Sequence, residues 1–328
     1  MSPSTINLPH ILSISWTIRT SYHPSSIITY NLAIGVSASD LSLVYEGHPN
    51  FHALPTFGSL PVIAIMGKVT RSMAEFLPGF QGHNHVHGEH FLELKQEFPT
   101  GTGPPGEGRD GRKVELETEA RVVDIVAKRS GVLVIVGITT WELLDGGRRG
   151  EEVCYNEWTS FVLEVPGKGA SEKVEARGAA TRLYPAPDRP ADKVVVQKTS
   201  QEQGALYRAA SGDLNPLHID PEVAKKGGFE GPILTGTCTL GMGVRHVIEA
   251  FGEGRRFKNV RLRLSKPVFP GKEVRTEMWK EDGGRRIVYR QSVGSRIVMR
   301  DAAVEFEDIV LKEESDRGSL LRAVGAKL

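Results

Sequence analysis

Hydrophobic and polar positions follow two different patterns along the chain, and the difference separates predicted strands from predicted helices. Residues 113–125 (KVELETEARVVDI) alternate polar and apolar positions, as expected of a strand with one buried face. Residues 131–141 (GVLVIVGITTW) are apolar and rich in β-branched side chains, which is typical of a central strand. Together the two segments predict a long antiparallel hairpin.

The second half of the chain has the same kinds of segment. Residues 194–199 predict a short strand, and residues 201–210 predict a helix. Residues 231–251 (GPILTGTCTLGMGVRHVIEAF) form a long apolar segment that predicts a buried helix. Alternating segments from residue 260 onwards predict several further strands.

The two halves resemble each other weakly. In the first half, residues 27–36 predict a short apolar helix, and an apolar stretch covers residues 60–69. The sequence PTFGSL at 55–60 is similar to PILTGT at 232–237, and each opens a long apolar helix. A helix that is apolar all round must be buried, and a curved antiparallel sheet can bury it. We therefore expect an α+β protein with the double hot-dog arrangement, in which each of two units wraps one helix in a sheet.

The expected organisation divides the chain into five parts. Residues 1–26 contain three prolines and no clear periodicity, so they predict an irregular N-terminal segment. Residues 27–165 form the first unit. Residues 166–192 are rich in Pro, Ala and charge, which predicts a linker. Residues 193–325 form the second unit, and residues 326–328 are a terminal tripeptide.

Composition narrows the choice of partners. The 328 residues include 41 Lys+Arg and 40 Asp+Glu, a net charge of +1, which gives no electrostatic reason to expect nucleic acid or an anionic membrane. No run of 18 apolar residues occurs, so we expect no membrane-spanning helix. The two cysteines, Cys154 and Cys238, predict buried apolar positions and a reducing compartment rather than disulfides.

The candidate chemistry lies in residues 207–220 (YRAASGDLNPLHID), where Asp213 and His218 are five positions apart. On a helix their side chains would diverge, since five positions turn through about 500°. Pro216 prevents such a helix, and Gly212 permits an unusual backbone angle just before the aspartate. A carboxylate and an imidazole that converge on one water molecule are suited to general acid–base catalysis.

A second element follows in GPILTG, residues 231–236. The start of a long helix offers unpaired N–H groups and the positive end of the helix dipole. Gly236 has no side chain, so a carbonyl oxygen can approach its N–H closely. This is the type of contact that stabilises an oxyanion.

Residues 207–242 resemble the hydratase 2 motif of MaoC-like (R)-specific 2-enoyl-CoA hydratases, and the pattern is similar to the eukaryotic branch with two hot-dog units. Further similar segments lie at residues 30–36, 44–58, 87–94, 266–271 and 277–281. The chain departs from the family at His90, where glutamine is usual, and before the predicted helix at 27–36, where members have an Arg-Asp pair.

The resemblance implies roles for individual residues. Asp213 and His218 would bind and activate the water, with Asn215 as their neighbouring partner, and the Gly236 N–H would hold the thioester oxygen. The remaining acyl-CoA contacts implied are His87, Gly88, Lys128 and Leu264. No metal or redox cofactor is expected, and the acyl-CoA is the substrate. The first half lacks the Asp/His pair and would leave room for an acyl tail.

Several alternatives remain. The enzyme could act in fatty-acid β-oxidation, or as a dehydratase on a thioester of fungal secondary metabolism or toxin biosynthesis. A non-catalytic acyl-CoA-binding protein is an alternative of another class. Alternate histidines in HNHVHGEH (His83, His85 and His87) would share one face of a strand, which suggests a metal site, whereas the family uses none.

The terminal tripeptide Ala326-Lys327-Leu328 is close to the S-K-L peroxisomal address. We therefore expect a peroxisomal protein that is recognised by the import receptor. A homodimer is the candidate assembly, and the sequence does not determine the oligomeric state.

Overall fold

One antiparallel sheet runs through both halves of the chain in the computed structural model, which describes residues 3–102 and 111–308. Over these residues the sheet has ten strands, in the spatial order β1-β3-β4-β5-β2-β7-β10-β9-β8-β6. The strands are β1 (Ser15–Tyr22), β2 (His85–Leu94), β3 (Val114–Lys128), β4 (Gly131–Leu144), β5 (Arg148–Leu163), β6 (Lys193–Lys198), β7 (Arg255–Leu264), β8 (Glu273–Glu281), β9 (Arg286–Val293) and β10 (Arg296–Asp308).

The strand order shows that the protein is a double hot dog. The first half contributes β1-β3-β4-β5-β2, and the second contributes β6-β8-β9-β10-β7, so corresponding strands occupy corresponding places. The innermost strands, β2 and β7, pair antiparallel at the centre, with Leu92 opposite Val260. The α+β double hot-dog prediction is confirmed.

Seven α-helices accompany the sheet in the described residues. They are α1 (Leu8–Leu12), α2 (Pro24–Ala33), α3 (Leu41–Val44), α4 (Leu60–Phe76), α5 (Gln203–Ser211), α6 (Pro221–Lys226) and α7 (Gly236–Phe251). Helix α4 buries Val62, Ile65, Val69 and Met73, at the spacing of one helix face, against the first half. Helix α7 is buried continuously from Thr237 to Val247, as predicted for a helix that is apolar all round.

The predicted β3–β4 hairpin is confirmed, with Lys128 paired to Gly131 at its tip. The prediction of an irregular segment over residues 1–26 is wrong for much of its length. Strand β1 pairs along β3, and the alternate residues Trp16 and Tyr22 are buried. The three prolines of residues 1–26 lie outside the strand, so they do not interrupt this alternation. The predicted helix at 27–36 is α2, which begins earlier because Pro24 suits a first helical turn.

The segment 166–192 connects the halves and packs on the outer face of the sheet. Arg177 forms an ion pair with buried Glu157 on β5. Tyr184 is buried in a small cluster that includes Trp279 of β8. The connecting segment is therefore anchored to the sheet, because Arg177 and Tyr184 contact side chains of the strands.

The described residues include no helix that is both long and apolar enough to cross a membrane. Cys154 and Cys238 are free and buried, as predicted. The tripeptide Ala326-Lys327-Leu328 lies outside the described residues.

Candidate active site

The loop that carries the candidate acid–base pair begins where α5 ends. Gly212 adopts the left-handed conformation (φ 67°), and its N–H donates to the Arg208 carbonyl, which closes the helix. The reversal directs the next residue, Asp213, away from the helix axis. On Arg208 the Nη1 atom donates to the main-chain carbonyl of Asp213 at 2.6 Å and of Asn215 at 3.3 Å. One guanidinium therefore fixes the backbone of the loop at two points.

Asp213 and His218 converge as the sequence predicts. The His218 Nε2 atom lies 3.6 Å from Asp213 Oδ2, and the two side chains are only 12% and 13% exposed. His218 Nδ1 lies 2.8 Å from the Ile233 carbonyl, which can only accept, so Nδ1 carries a proton, and in the neutral imidazole Nε2 is then the acceptor nitrogen. Two acceptors that face each other in this way can both receive hydrogen bonds from one water molecule.

Asn215 shapes the loop between them. Its side-chain Oδ1 accepts from the Leu217 N–H at 3.1 Å and caps the short turn Pro216–His218. Its own N–H donates to Asp213 Oδ1 at 2.9 Å. The structure thus places Asn215 beside the pair, where it holds the turn and one carboxylate oxygen.

Gly236 is the first residue of α7, so its N–H has no acceptor within the helix. A Cβ atom at this position would lie 2.4 Å from Cδ1 of Leu264, at the end of β7. The leucine therefore packs against the helix start, and a side chain at position 236 would have to displace its Cδ1. Thr235, the residue before it, has its hydroxyl 3.5 Å from Asp213 Oδ2. These contacts bring the helix N-terminus and the acid–base pair into one site.

His87 and Gly88 lie on β2, at the end of the strand that approaches Leu264. Glu89 pairs in register with Arg263, the residue before that leucine. The His87 ring stacks on Trp158 with centroids 3.4 Å apart, and Nε2 donates to the Glu89 carbonyl at 3.1 Å. Burial lowers the pKa of His87 well below its ordinary value, so this imidazole is neutral at physiological pH.

Lys128 lies further away than the other predicted contacts. It is exposed at the tip of the β3–β4 hairpin, and strands β4 and β5 separate β3 from β2. In the register of the sheet, Ile125 rather than Lys128 lies in the row of His87. Lys128 is therefore at the rim of the same end of the sheet, and a contact with CoA phosphate stays a prediction.

Three of the four histidines of HNHVHGEH, namely His85, His87 and His90, have partners within the protein, and His83 is exposed. His85 Nε2 lies 2.6 Å from the Ser160 hydroxyl, and burial lowers the pKa of His85 to about 4. His90 Nε2 lies 3.0 Å from Asn156 Oδ1, and burial lowers the pKa of His90 to about 4 as well. Over residues 3–102 and 111–308, no three His, Cys, Asp or Glu side chains are grouped so as to hold a metal ion.

Sequence reasoning missed Arg208, Thr235 and Trp158. Thr235 had a usable signal, because threonine directly before a predicted helix is a typical N-cap. Arg208 lies five residues before Asp213, and its side chain extends forward to the main chain of the loop. The spacing of apolar residues gives no indication of this contact. Trp158 meets His87 through the pairing of β2 with β5, a long-range contact that the local pattern does not contain.

Fold and site together define a MaoC-like protein, and comparisons with known proteins agree. The MaoC like domain model matches residues 182–300, and the MFE-2 hydratase 2 N-terminal domain model matches residues 20–164. The chain therefore belongs to the MaoC-like family, with an MFE-2 hydratase 2 N-terminal domain in its first half.

Individual relatives cover most of the chain. It is 39% identical over 285 residues to peroxisomal multifunctional enzyme type 2 of Mus musculus, covering 84% of this chain but only 35% of the mouse protein. It is 31% identical to peroxisomal enoyl-CoA hydratase 2 of Arabidopsis thaliana, covering 85% of this chain and 87% of that one. The crystal structure of a MaoC-like dehydratase from Phytophthora capsici is similar at a TM-score of 0.78 and 25% identity, covering 94% of this chain and 100% of the other. The chain thus spans about a third of the length of the mouse relative.

Proposed function

We propose that the chain catalyses the reversible addition of water to a trans-2-enoyl-CoA, which gives a (3R)-3-hydroxyacyl-CoA. The observation that carries this proposal is the position of Asp213 and His218 beside the free N–H of Gly236. An acid–base pair next to an oxyanion donor is what hydration of an unsaturated thioester requires. The names of the relatives support the same reaction.

In the proposed mechanism, Asp213 Oδ2 and His218 Nε2 hold the attacking water between them. As the water oxygen bonds to C3 of the substrate, the pair accepts one proton from the water and returns one proton to C2. One O–H bond of the water and the π bond between C2 and C3 are broken, C3–O and C2–H bonds are formed, and both residues end in their starting states. The negative charge that develops on the thioester oxygen is stabilised by the Gly236 N–H at the start of α7.

The acyl-CoA would extend from this point along the same end of the sheet. Leu264, His87 and Gly88 lie beside the reacting centre and would contact the thioester arm. Lys128 at the rim would meet a CoA phosphate as a point charge. This arrangement needs only local positive groups, which agrees with the balanced net charge of +1.

The loss of enoyl-thioester absorbance on addition of the protein tests the reaction, and chiral analysis of the product tests its stereochemistry. Asp213→Asn and His218→Gln should each lower kcat by about 10²–10⁴-fold, the usual contribution of a general acid or base. Wild-type rates in both variants, or a 3S product, would show that the proposal is wrong. Tight product binding without turnover would instead favour an acyl-CoA-binding protein.

We further propose that the protein acts in peroxisomal β-oxidation. The mouse and Arabidopsis relatives are named peroxisomal, and the sequence-based expectation of an import signal at residues 326–328 agrees with them. A green fluorescent protein that carries residues 317–328 at its C-terminus should enter peroxisomes, and the same fusion without Leu328 should not. A diffuse cytosolic signal from the intact fusion would overturn this assignment.

A further inference from the structure

Thr235 occupies the N-cap of α7 without capping the helix. Its backbone is extended (φ −58°, ψ 138°), as at most N-caps, yet its side chain accepts no hydrogen bond from the first turn. The hydroxyl instead lies 3.5 Å from Asp213 Oδ2. A threonine favoured for capping is thus used to contact the carboxylate of the neighbouring loop.

The contacted oxygen is the one that the proposed reaction uses. Asp213 Oδ1 already accepts from the Asn215 N–H at 2.9 Å. Oδ2 faces His218 Nε2, which in the neutral imidazole is an acceptor and does not donate to it. Among the contacts of residues 3–102 and 111–308, the Thr235 hydroxyl is the side-chain donor that reaches Oδ2.

The segment around Thr235 also holds the rest of the site. The Ile233 carbonyl accepts from His218 Nδ1 and sets its tautomer. Gly236, the next residue, presents the N–H proposed for the thioester oxygen. We propose that Thr235 is a positioning residue: its hydroxyl fixes Asp213 Oδ2 relative to the Gly236 N–H, so that water and thioester are held at one distance from each other. This inference rests on the proposed hydratase function.

A matched pair of variants separates the hydroxyl from the shape of the side chain. Thr235→Val keeps the β-branched shape without the hydroxyl, and Thr235→Ser keeps the hydroxyl. Thr235→Val should lower kcat by about 10-fold or more with KM within about twofold, because a misplaced water affects the reaction more than substrate binding. Thr235→Ser should stay within about threefold of the wild type. Equal rates in wild type and Thr235→Val, or equal losses in both variants, would overturn the proposal.

The carboxylate itself gives a readout that does not depend on turnover. The ¹³C NMR signal of the Asp213 carboxyl, assigned by its loss in Asp213→Asn, can be titrated in each variant. Thr235→Val removes a donor to the charged form, so this signal should titrate at higher pH than in the wild type, whereas Thr235→Ser should follow the wild type. The titratable or charged side chains in contact with Asp213 are His218, 3.6 Å from Oδ2, and Arg208 on α5, which donates to the main-chain carbonyl, and both are unchanged in these variants.

These two readouts distinguish the possible failures. A wild-type protein without hydratase activity would contradict the proposed function, while the titration would still decide whether Thr235 donates to Asp213. An active wild type with an unchanged Asp213 titration in Thr235→Val would contradict the positioning role alone. If the valine variant does not fold, Thr235→Ala provides a second side chain without the hydroxyl, to which the same outcomes apply.

Discussion

Tyr30 and Tyr207 lie where the two halves meet, with their ring centroids 6.1 Å apart, and they occupy equivalent positions in α2 and α5. Five residues after each tyrosine is a glycine in the left-handed region, with φ of 90° in the first half and 67° in the second. The next residue is Val36 in the first half and Asp213 in the second. The same local frame therefore occurs twice, and only its second copy carries the carboxylate.

Gly236→Ala tests the space at the start of α7. The added Cβ would lie 2.4 Å from Cδ1 of Leu264, so either the leucine or the helix start must move. We expect kcat to fall by about 10-fold or more, because the N–H that faces the thioester oxygen is displaced. Steady-state kinetics with a medium-chain enoyl-CoA measures the effect.

The double variant Gly236→Ala/Leu264→Ala is the control for this explanation. Shortening the leucine removes the atom that the new methyl group would meet. The double variant should recover a substantial part of the lost kcat relative to the single glycine variant. A double variant no better than Gly236→Ala would show that the collision with Leu264 is not the cause.

Arg208 should matter for both activity and stability. Its guanidinium donates to the carbonyls of Asp213 and Asn215, and its removal leaves the loop less constrained. Arg208→Met should lower kcat by about 10-fold and the free energy of unfolding by about 1–2 kcal/mol, as expected for hydrogen bonds from a charged donor. Arg208→Lys should lose less, because an ammonium can still reach a carbonyl. Kinetics and urea unfolding would contradict this if both variants matched the wild type.

The burial of His246 should make the free energy of unfolding fall at acidic pH. It is buried, with Nδ1 2.8 Å from the Thr276 hydroxyl, and burial, aided by the neighbouring Arg245 cation, lowers its pKa to about 3. The unfolded chain binds a proton near the ordinary pKa of about 6.5, so stability is lost as pH falls from there towards the folded pKa. The slope from this group approaches about 1.4 kcal/mol per pH unit.

The measurement compares urea unfolding at pH 7, 6 and 5 for the wild type and His246→Gln. The variant should lose less stability than the wild type over this range, since it has no imidazole to protonate on unfolding. The exposed His52 provides a matched control, and His52→Gln should follow the wild-type curve. Parallel curves for the wild type and His246→Gln would contradict the prediction.

Substitutions at the ion pair between the connecting segment and β5 should have non-additive effects on the free energy of unfolding. Arg177 donates through Nε and Nη2 to the two carboxylate oxygens of Glu157, whose side chain is 4% exposed. Arg177→Met leaves this carboxylate buried without its partner and should cost about 3–5 kcal/mol of unfolding free energy. The double variant Glu157→Gln/Arg177→Met should be more stable than Arg177→Met alone. Additive losses in chemical denaturation would show that the pair does not interact as described, and kcat should change little in either variant.

Local sequence patterns predicted the parts of the fold that are determined locally. The alternation in β3, the apolar run of β4 and the continuous burial of α7 follow directly from the spacing of apolar residues. Strand β1 was missed because prolines flank it, and because its partner β3 lies about a hundred residues further along the chain. The pairing of β2 with β7, which joins the halves, likewise has no local signal.

In the candidate site, too, local features were predicted from the sequence and long-range contacts were not. Asp213 and His218 share one loop, so Gly212 and Pro216 in the sequence already indicate that they converge. The contact between Gly236 and Leu264 joins a helix to a strand, and only the folded structure shows how closely the leucine approaches the glycine. Roles that depend on hydrogen bonds to main-chain carbonyls, such as that of Arg208, are invisible in a residue pattern because every residue has a carbonyl.

The central pairing of β2 with β7 lies within one covalent chain. Two separate single-unit proteins joined along the same strands would come apart on dilution, whereas here the effective concentration of one half for the other is fixed by the connection. In a homodimer, every substitution appears in both copies at once. A fused chain lets each half change alone, so the first half is free to lose acid–base chemistry while the second keeps it.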